Sequence, residues 1–445
     1  MLTIAIDCGA SFVKGALFSE EGSVLIKLQE PAPSVCQNGE IRNPAQITEL
    51  LSVVEGTLSK LSDGGGASDY RLCVSNEMHG FLLADSKGTP LTDYISWQKE
   101  YGNISVCGIS AIEKLRSEKR EEDILYTGMQ LRNSLPSCNL MYLRMTDFLS
   151  EIKEKIYFYT LGDYILKRLF GREPLCHPTN AAATGLYDLR TGDWNHDLTA
   201  DYKDPEVIFP QIGQKVMRIA SGSKTFYVYP AIGDQQAALL GAGLNEADEL
   251  SFNLGTGAQV SRLTRNIELN PDYQIRPYFG GYYLKTIPHL PSGRALNVYF
   301  RLVKDILEQF DMRPDDEEIW NRLLEAEKTG RDTLMECDLS FFQNALTQSD
   351  RGSIKNIGEY DLTFGNLLHA VLKQMADNFS EAGDRLCRKR TDISKLIFSG
   401  GIARRITSVS QMLIERYDRD IQCVIARDET MTGLYQYGNL FAEGK

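Results

Sequence analysis

At 445 residues the chain is too long for one hydrophobic core and fits two domains. Its 42% apolar and 24% charged residues exclude a disordered or fibrous protein, and a formal charge of −12 argues against nucleic acid, whose recognition rests on Lys and Arg neutralising phosphates. The nine cysteines are scattered singly with no C-x-x-C pair, and no apolar run approaches a membrane span, so we expect reduced thiols, no membrane partner and a cytoplasmic location.

Residues 2–7 are an apolar strand pattern, Cys8-Gly9-Ala10-Ser11 is a turn, and residues 13–19 read as a second strand. The result is a hairpin with Asp7 at its bend. Gly9 and Ser11 offer backbone and hydroxyl donors and Lys14 a positive charge, although a plain hairpin has the same letters. Residues 42–60 have helical spacing, with Ile47, Leu50, Leu51, Val54 and Leu58 on one face, and residues 62–69 read as a Gly-rich loop. Residues 71–75 form a buried-strand pattern that runs into Asn76-Glu77-Met78-His79-Gly80. A histidine after a strand is often structural, but His79 falls where open α/β sheets bind ligands. Trp97, beside Gln98, is suited to stacking on a sugar face, though a single Trp is more often core. Residues 110–170 read as mostly helical, broken at Thr127-Gly128 and Pro136. The small residues of 180–185 permit close backbone approach.

In Ala231-Ile232-Gly233-Asp234-Gln235-Gln236, Asp234 is a carboxylate on a Gly-entered turn. Residues 250–254 and 258–263, joined by Gly255-Thr256-Gly257, reproduce the strand, turn and strand of residues 2–19, so two similar domains facing one another are expected. A bare Gly-rich turn of this kind suits a phosphate. Residues 362–387 are a long amphipathic helix. The strand 395–399 enters Gly400-Gly401, where missing side chains would let a nucleotide's base or ribose lie on the backbone. A tight βα turn reads the same way. Residues 430–442, with Gly433 and Gly438, read as a small-residue helix packed closely on a neighbour.

Taken in order, DCGASFVKGALF, SNEMHG, SWQ, GDQQAA, NLGTGA and FSGGIARR resemble the motifs of the FGGY carbohydrate kinases, over almost the whole chain. The resemblance implies an α/β fold of two ribonuclease-H-like domains of the actin and hexokinase superfamily with an interdomain catalytic cleft. Residues 1–243 would carry the sugar site and catalytic base, and residues 244–445 the nucleotide site. It also implies ATP and Mg²⁺ as cofactors, a small sugar as substrate, no nucleic acid or membrane partner, and a homodimer as the oligomer to test for.

Matched position by position, Asp234 would be the general base that takes the proton of the attacking hydroxyl. Asp7 would hold Mg²⁺ through water, with Asp234 as the second metal-facing carboxylate. Gly9, Ser11 and Lys14 would line the first phosphate loop, Gly255 and Thr256 the second, and Gly400 and Gly401 the adenosine site. Glu77, Met78, His79 and Trp97, with Asp234, would contact the sugar. Three departures fall on the sugar side: Asn76-Glu77 for the usual Gly-Gln, Lys99-Glu100-Tyr101 for Asp-x-Arg, and Pro291-Ser292-Gly293-Arg294 where a Gly-Gly pair is common. MHG, SWQ and TNAAATGLYDLRTGDWN are closest in pattern to kinases of sedoheptulose, then xylulose. The expected reaction is therefore phosphorylation of a ketose at a terminal primary hydroxyl. Other acceptors (ribulose, rhamnulose, glycerol), a sugar sensor without turnover, and an actin-like ATPase are the alternatives.

Overall fold

The computed structural model describes residues 1–33, 40–255, 257–417 and 420–440. Strands β1 (Leu2–Cys8) and β2 (Phe12–Phe18) form an antiparallel hairpin, and β3 (Val24–Pro31) extends it on one side. Helix α1 (Ala45–Gly65) then crosses over to β4 (Asp69–Asn76), which lies parallel to β1, and β5 (Lys224–Val228) lies parallel to β4. Helix α2 (Asp234–Gly241) follows.

The second half repeats this plan. Strands β6 (Glu249–Asn253) and β7 (Ala258–Thr264) form a hairpin, and β8 (Tyr283–Leu290) extends it. Helix α3 (Phe364–Leu386) crosses to β9 (Lys395–Ser399), parallel to β6, and β10 (Gln422–Ile425) lies parallel to β9. Within a seven-stranded and a six-stranded sheet, the five strands named in each half therefore share one order: third, second, first, fourth, fifth. A parallel return needs a helical crossover, and each half has one in the same place.

The burial pattern explains the placement. β1 is buried along nearly its whole length, as a strand covered on both faces should be, whereas β3 alternates between exposed and partly exposed residues. One apolar core lies against each sheet. A third, containing Ala5, Phe18, Tyr229, Leu240, Leu263, Ile397, Leu434 and Tyr437, draws residues from both halves. Helices α4 (Gly401–Arg405) and α5 (Glu429–Leu440) complete the chain, and α5 packs against α2, β1 and β4 rather than only its own half. The Tyr437 hydroxyl donates to the Pro230 carbonyl at 3.0 Å, and Tyr229 to that of Gly438 at 2.9 Å. No described helix is long and apolar enough to cross a membrane.

Three local expectations are corrected. Residues 62–65 finish α1 instead of forming a loop, and Gly66, at φ 61°, ends it. Gly65 is small because Tyr70 packs there: a Cβ would lie 2.8 Å from the Tyr70 hydroxyl. Pro136 opens the helix Pro136–Met145 rather than breaking one, since the first helical turn needs no N–H from it. Within residues 110–170, Ile156–Tyr159 is a strand paired with Leu82–Ala84 and Val207–Ile208; four residues are too few to carry a periodic signal.

The joint between α2 and α5 has no room for a side chain. A Cβ on Gly433 would lie 1.8 Å from the Ala237 carbonyl, and one on Gly241 would lie 1.8 Å from that of Glu429. Gly433→Ala is expected to destabilise the protein by roughly 2 kcal/mol or more, measured as a lowered denaturation midpoint, because both obstacles are backbone and neither can rotate away.

Candidate active site

Three carboxylates converge where β1, β4 and α2 meet. Asp7 is the penultimate residue of β1, in register with Lys14 on β2 and Ser75 on β4, and accepts a 2.8 Å hydrogen bond from the Ser75 hydroxyl. Glu77 follows β4 directly; its backbone N–H donates to the Cys8 carbonyl at 3.0 Å and its Oε2 accepts from the Trp97 indole at 3.2 Å. Asp234 opens α2, with the Gln235 N–H donating to its Oδ1 at 2.8 Å.

The segment before Asp234 is fastened at several points. Ile232 and Gly233 pair with Ser75 and Asn76 of β4. The Asn180 amide donates to both the Asn76 Oδ1 and the Ala231 carbonyl at 2.9 Å, and the Gly233 N–H donates to the Thr179 hydroxyl oxygen at 3.1 Å. Ala183, which follows the helical turn that carries Thr179 and Asn180, accepts from His79 Nδ1 at 2.8 Å. This bond requires the proton on Nδ1 and leaves Nε2 as an acceptor. His79 holds a left-handed backbone, φ 65°, to make it.

Burial dominates the electrostatics. It raises the Asp7 carboxyl, against the Ser75 hydrogen bond and the Lys14 charge. Burial, followed by the charge of Asp7, pushes Asp234 up to about 7; Glu77 adds to this, while the Gln235 N–H and Arg276 oppose it. Glu77 is likewise raised to about 7 by burial, against Tyr94 and Trp97. His79 is held well below the usual histidine range by burial, then by Arg132 and Arg276, so it is neutral. A carboxylate in this setting has an unusual affinity for a proton, which is what a general base requires.

A cleft of about 1100 Å³ runs between the halves, lined among others by Trp97, Gln98 and Arg132 from the first and Gly257, Gln274 and His289 from the second. Trp97 is 46% exposed there. The Gly9 N–H closes its turn on the Phe12 carbonyl at 3.1 Å; Ser11 is exposed and Lys14 partly buried opposite Asp7. In the second half, the Leu254 N–H donates to the Ser399 carbonyl at 2.8 Å and the Ile402 N–H to that of Leu254 at 3.0 Å. Gly255 therefore adjoins Gly400 and Gly401. Gly400 has φ 89° and sits where a Cβ would lie 2.6 Å from the Leu254 carbonyl, while Gly401 faces open space. Thr256 lies outside the described residues. The Gln235 amide joins the halves by donating to Gln259 on β7 at 2.7 Å.

No group of three or more His, Cys, Asp or Glu side chains able to hold a metal occurs among the described residues. The pair Asp7 and Asp234, with Asp7 lifting Asp234, fits a divalent cation that completes its shell with phosphate oxygens and water. Four residues important to the site escaped the sequence reading as individuals: Asn180, Arg132, Arg276 and His289. An arginine flanked by apolar residues in Gln274-Ile275-Arg276-Pro277 was the available signal for one of them.

Two sheets that share one five-strand order, with carboxylates gathered at the ends of β1 and β4 and the start of α2, are the architecture of two-domain kinases of the actin and hexokinase type. The xylulose kinase of Rhodospirillum rubrum has this fold, superposing with a TM-score of 0.85 at 18% identity over 100% of this chain and 91% of that one. The model of the FGGY family of carbohydrate kinases, N-terminal domain, matches residues 2–241, and the chain belongs to that family. Among curated proteins it is similar to a glycerol kinase of Aquifex aeolicus (strain VF5), 25% identical over 61% of this chain and 56% of that protein. It is also similar to a sedoheptulokinase of Mus musculus, 20% identical over 91% and 90%. The chain thus spans little more than half of the first relative and nearly all of the second.

Glu77 makes the electrostatics testable. A carboxyl raised from 4.5 to about 7 binds more protons folded than unfolded, so stability falls as pH rises between those values. Glu77→Gln keeps an acceptor for Trp97 but has no charge to bury. The variant should match wild type near pH 4 and be more stable at about pH 8, by up to ~3 kcal/mol, in denaturant titrations at the two pH values.

Proposed function

We propose that the protein transfers the γ-phosphoryl group of ATP to a hydroxyl of a small polyhydroxylated acceptor, with Asp234 as general base. The observation that supports this most strongly is the position of Asp234: a carboxylate raised to about 7, at the start of a helix, acted on by Asp7 of the first glycine-turn hairpin and followed by Gln235, which bonds Gln259 of the second. Residues 1–243 hold the acceptor and the base, and residues 244–445 hold the nucleotide, with its phosphates on the Gly255 turn and its adenosine against Gly400 and Gly401.

The acceptor lies against Met78, His79 and Trp97. His79 Nε2 accepts from one of its hydroxyls, and the Trp97 face packs on its carbon skeleton while the indole N–H stays on Glu77. Asp234 accepts the proton of the attacking hydroxyl as its oxygen bonds to phosphorus. Lys14 and the N–H groups of the Gly9 turn stabilise the phosphoryl oxygens. Mg²⁺, held by Asp7 and Asp234, would neutralise phosphate charge when bound. Closure of the two halves on the acceptor would keep water from competing with it.

Among neutral acceptors sedoheptulose is the first candidate. Its support is the full-length similarity to the mouse sedoheptulokinase, with xylulose and glycerol next on the same kind of argument.

A coupled ADP-release assay over ketoses, polyols and sugar acids tests the reading, and acceptor-dependent ADP release with at least one of them is expected. Asp234→Ala should lower kcat by at least ~10²-fold with nucleotide affinity retained. Turnover near the wild-type rate in that variant would take Asp234 out of the base role.

A further inference from the structure

Two arginines near the acceptor end of the cleft, Arg276 and Arg132, make no ion pair with a carboxylate among the described residues, although the charge of Asp234 acts on Arg276. Arg276 is 2% exposed, on the strand Gln274–Pro277 that pairs with β8. Its Nη1 points at the Met78 sulfur at 3.8 Å, and its Nε is buried without a hydrogen-bond partner among the described residues. Its neighbours Gln274 and Ile275 line the cleft, and Arg276 lies buried beside them against Met78. Arg132 lines the cleft from the other half; its Nη1 donates to His289 Nε2 at 2.6 Å, and its Nε is also buried and unpartnered. Neither guanidinium has a carboxylate oxygen within 4.0 Å among the described residues.

A guanidinium withdrawn from water without a paired anion is costly, and here one carboxylate, Asp234, acts on the buried Arg276 while the partly buried Arg132 adds a second positive charge nearby, which leaves charge for something that binds. Burial and the charge of Arg132 press Arg276 down to about 9, and the same two arginines, with burial, bring His289 to about 4. These shifts agree with an excess of positive charge in this corner. The nucleotide phosphates already have the glycine turns around Gly9 and Gly255, whereas Arg276 touches Met78 and acts on His79, both on the acceptor side.

We propose that the acceptor carries an anionic oxygen group, a carboxylate or a phosphate ester, which Arg276 and Arg132 hold at the end of the cleft beside Met78 and His79. The planar fork of each guanidinium matches two oxygens of either group. This rests on the kinase reading above and names the substrate class it left open: a sugar acid or sugar phosphate in preference to the corresponding neutral polyol. His79, which presents an unprotonated Nε2, reads a hydroxyl and not the anion.

The test uses matched probes that differ at one carbon: D-gluconate and D-xylonate against D-glucitol and xylitol, with D-glucitol 6-phosphate as the phosphate arm. Calorimetric binding to the full chain is measured in the presence of magnesium and a non-hydrolysable ATP analogue, and ADP release is measured with ATP. At least one anionic probe is expected to bind at least ~10-fold more tightly than its neutral partner, and the arm that responds distinguishes carboxylate from phosphate. Arg276→Met should bring that ratio to within ~3-fold of one without lowering the melting temperature, because it removes an unpaired buried charge. Arg132→Met, at a more accessible position, should reduce the ratio in the same direction.

Equal or weaker binding of every anionic probe would overturn the proposal. So would a loss of nucleotide affinity in Arg276→Met with the anion preference unchanged, which would assign that arginine to the ATP phosphates. ADP release with neutral ketoses and no anion preference would sink this inference and leave the kinase reading standing. Tight anion binding without ADP release would do the reverse.

Discussion

The site depends on one constraint, the gathering of Asp7, Glu77 and Asp234 in a place where water cannot shield them from one another. Each carboxyl is raised by burial, and Asp234 also by the charges of the other two. Every raised unit is about 1.4 kcal/mol of preference for the protonated form, which the surrounding fold must absorb. The scaffold that absorbs it can be named. Ser75 bonds Asp7, Trp97 bonds Glu77, and the Asn180 and Thr179 side chains fasten the turn from which Asp234 projects. On the reading proposed above, a base with a high affinity for a proton is the chemical return on that strain.

The same constraint accounts for the joint between the halves. Asp234 stands at the start of α2, and α2 is pressed against α5 at Gly241 and Gly433 until the two backbones touch. Because α5 belongs to the second half of the sequence but lies on β1 and β4 of the first sheet, that contact ties the helix that begins with Asp234 to the second half of the chain. The Gln235 to Gln259 hydrogen bond adds a polar link from the residue next to the base to β7. One departure from the family's letters has a physical partner: Glu77 bonds to Trp97 of the separate Ser96-Trp97-Gln98 motif.

Much of this was legible in the sequence. The two hairpins, the turn bearing Asp234, the Gly400-Gly401 entry and the close-packed last helix are local features, written in strand alternation, glycine turns and helical spacing, and the fold has them where expected. What was not legible depends on residues far apart in the chain. The stretch around Asn180 looked weakly informative because its letters are small and polar; its value lies in contacts to Asn76 and Ala231, which no local period encodes. Arg132 and Arg276 are 144 positions apart and meet only through the fold, so neither motif scanning nor net charge singled them out. The strand Ile156–Tyr159 was absorbed into a helical reading because four residues between helices give no clear period.

The most direct measurement of the central claim follows the label from γ-³²P-ATP. The account predicts that the label appears in a phosphate ester of the acceptor, that almost none passes to water when the acceptor is left out, and that Asp234→Asn loses the ester product while still binding nucleotide. ATP hydrolysis that proceeds as fast without an acceptor, or ester formation undiminished in Asp234→Asn, would contradict it.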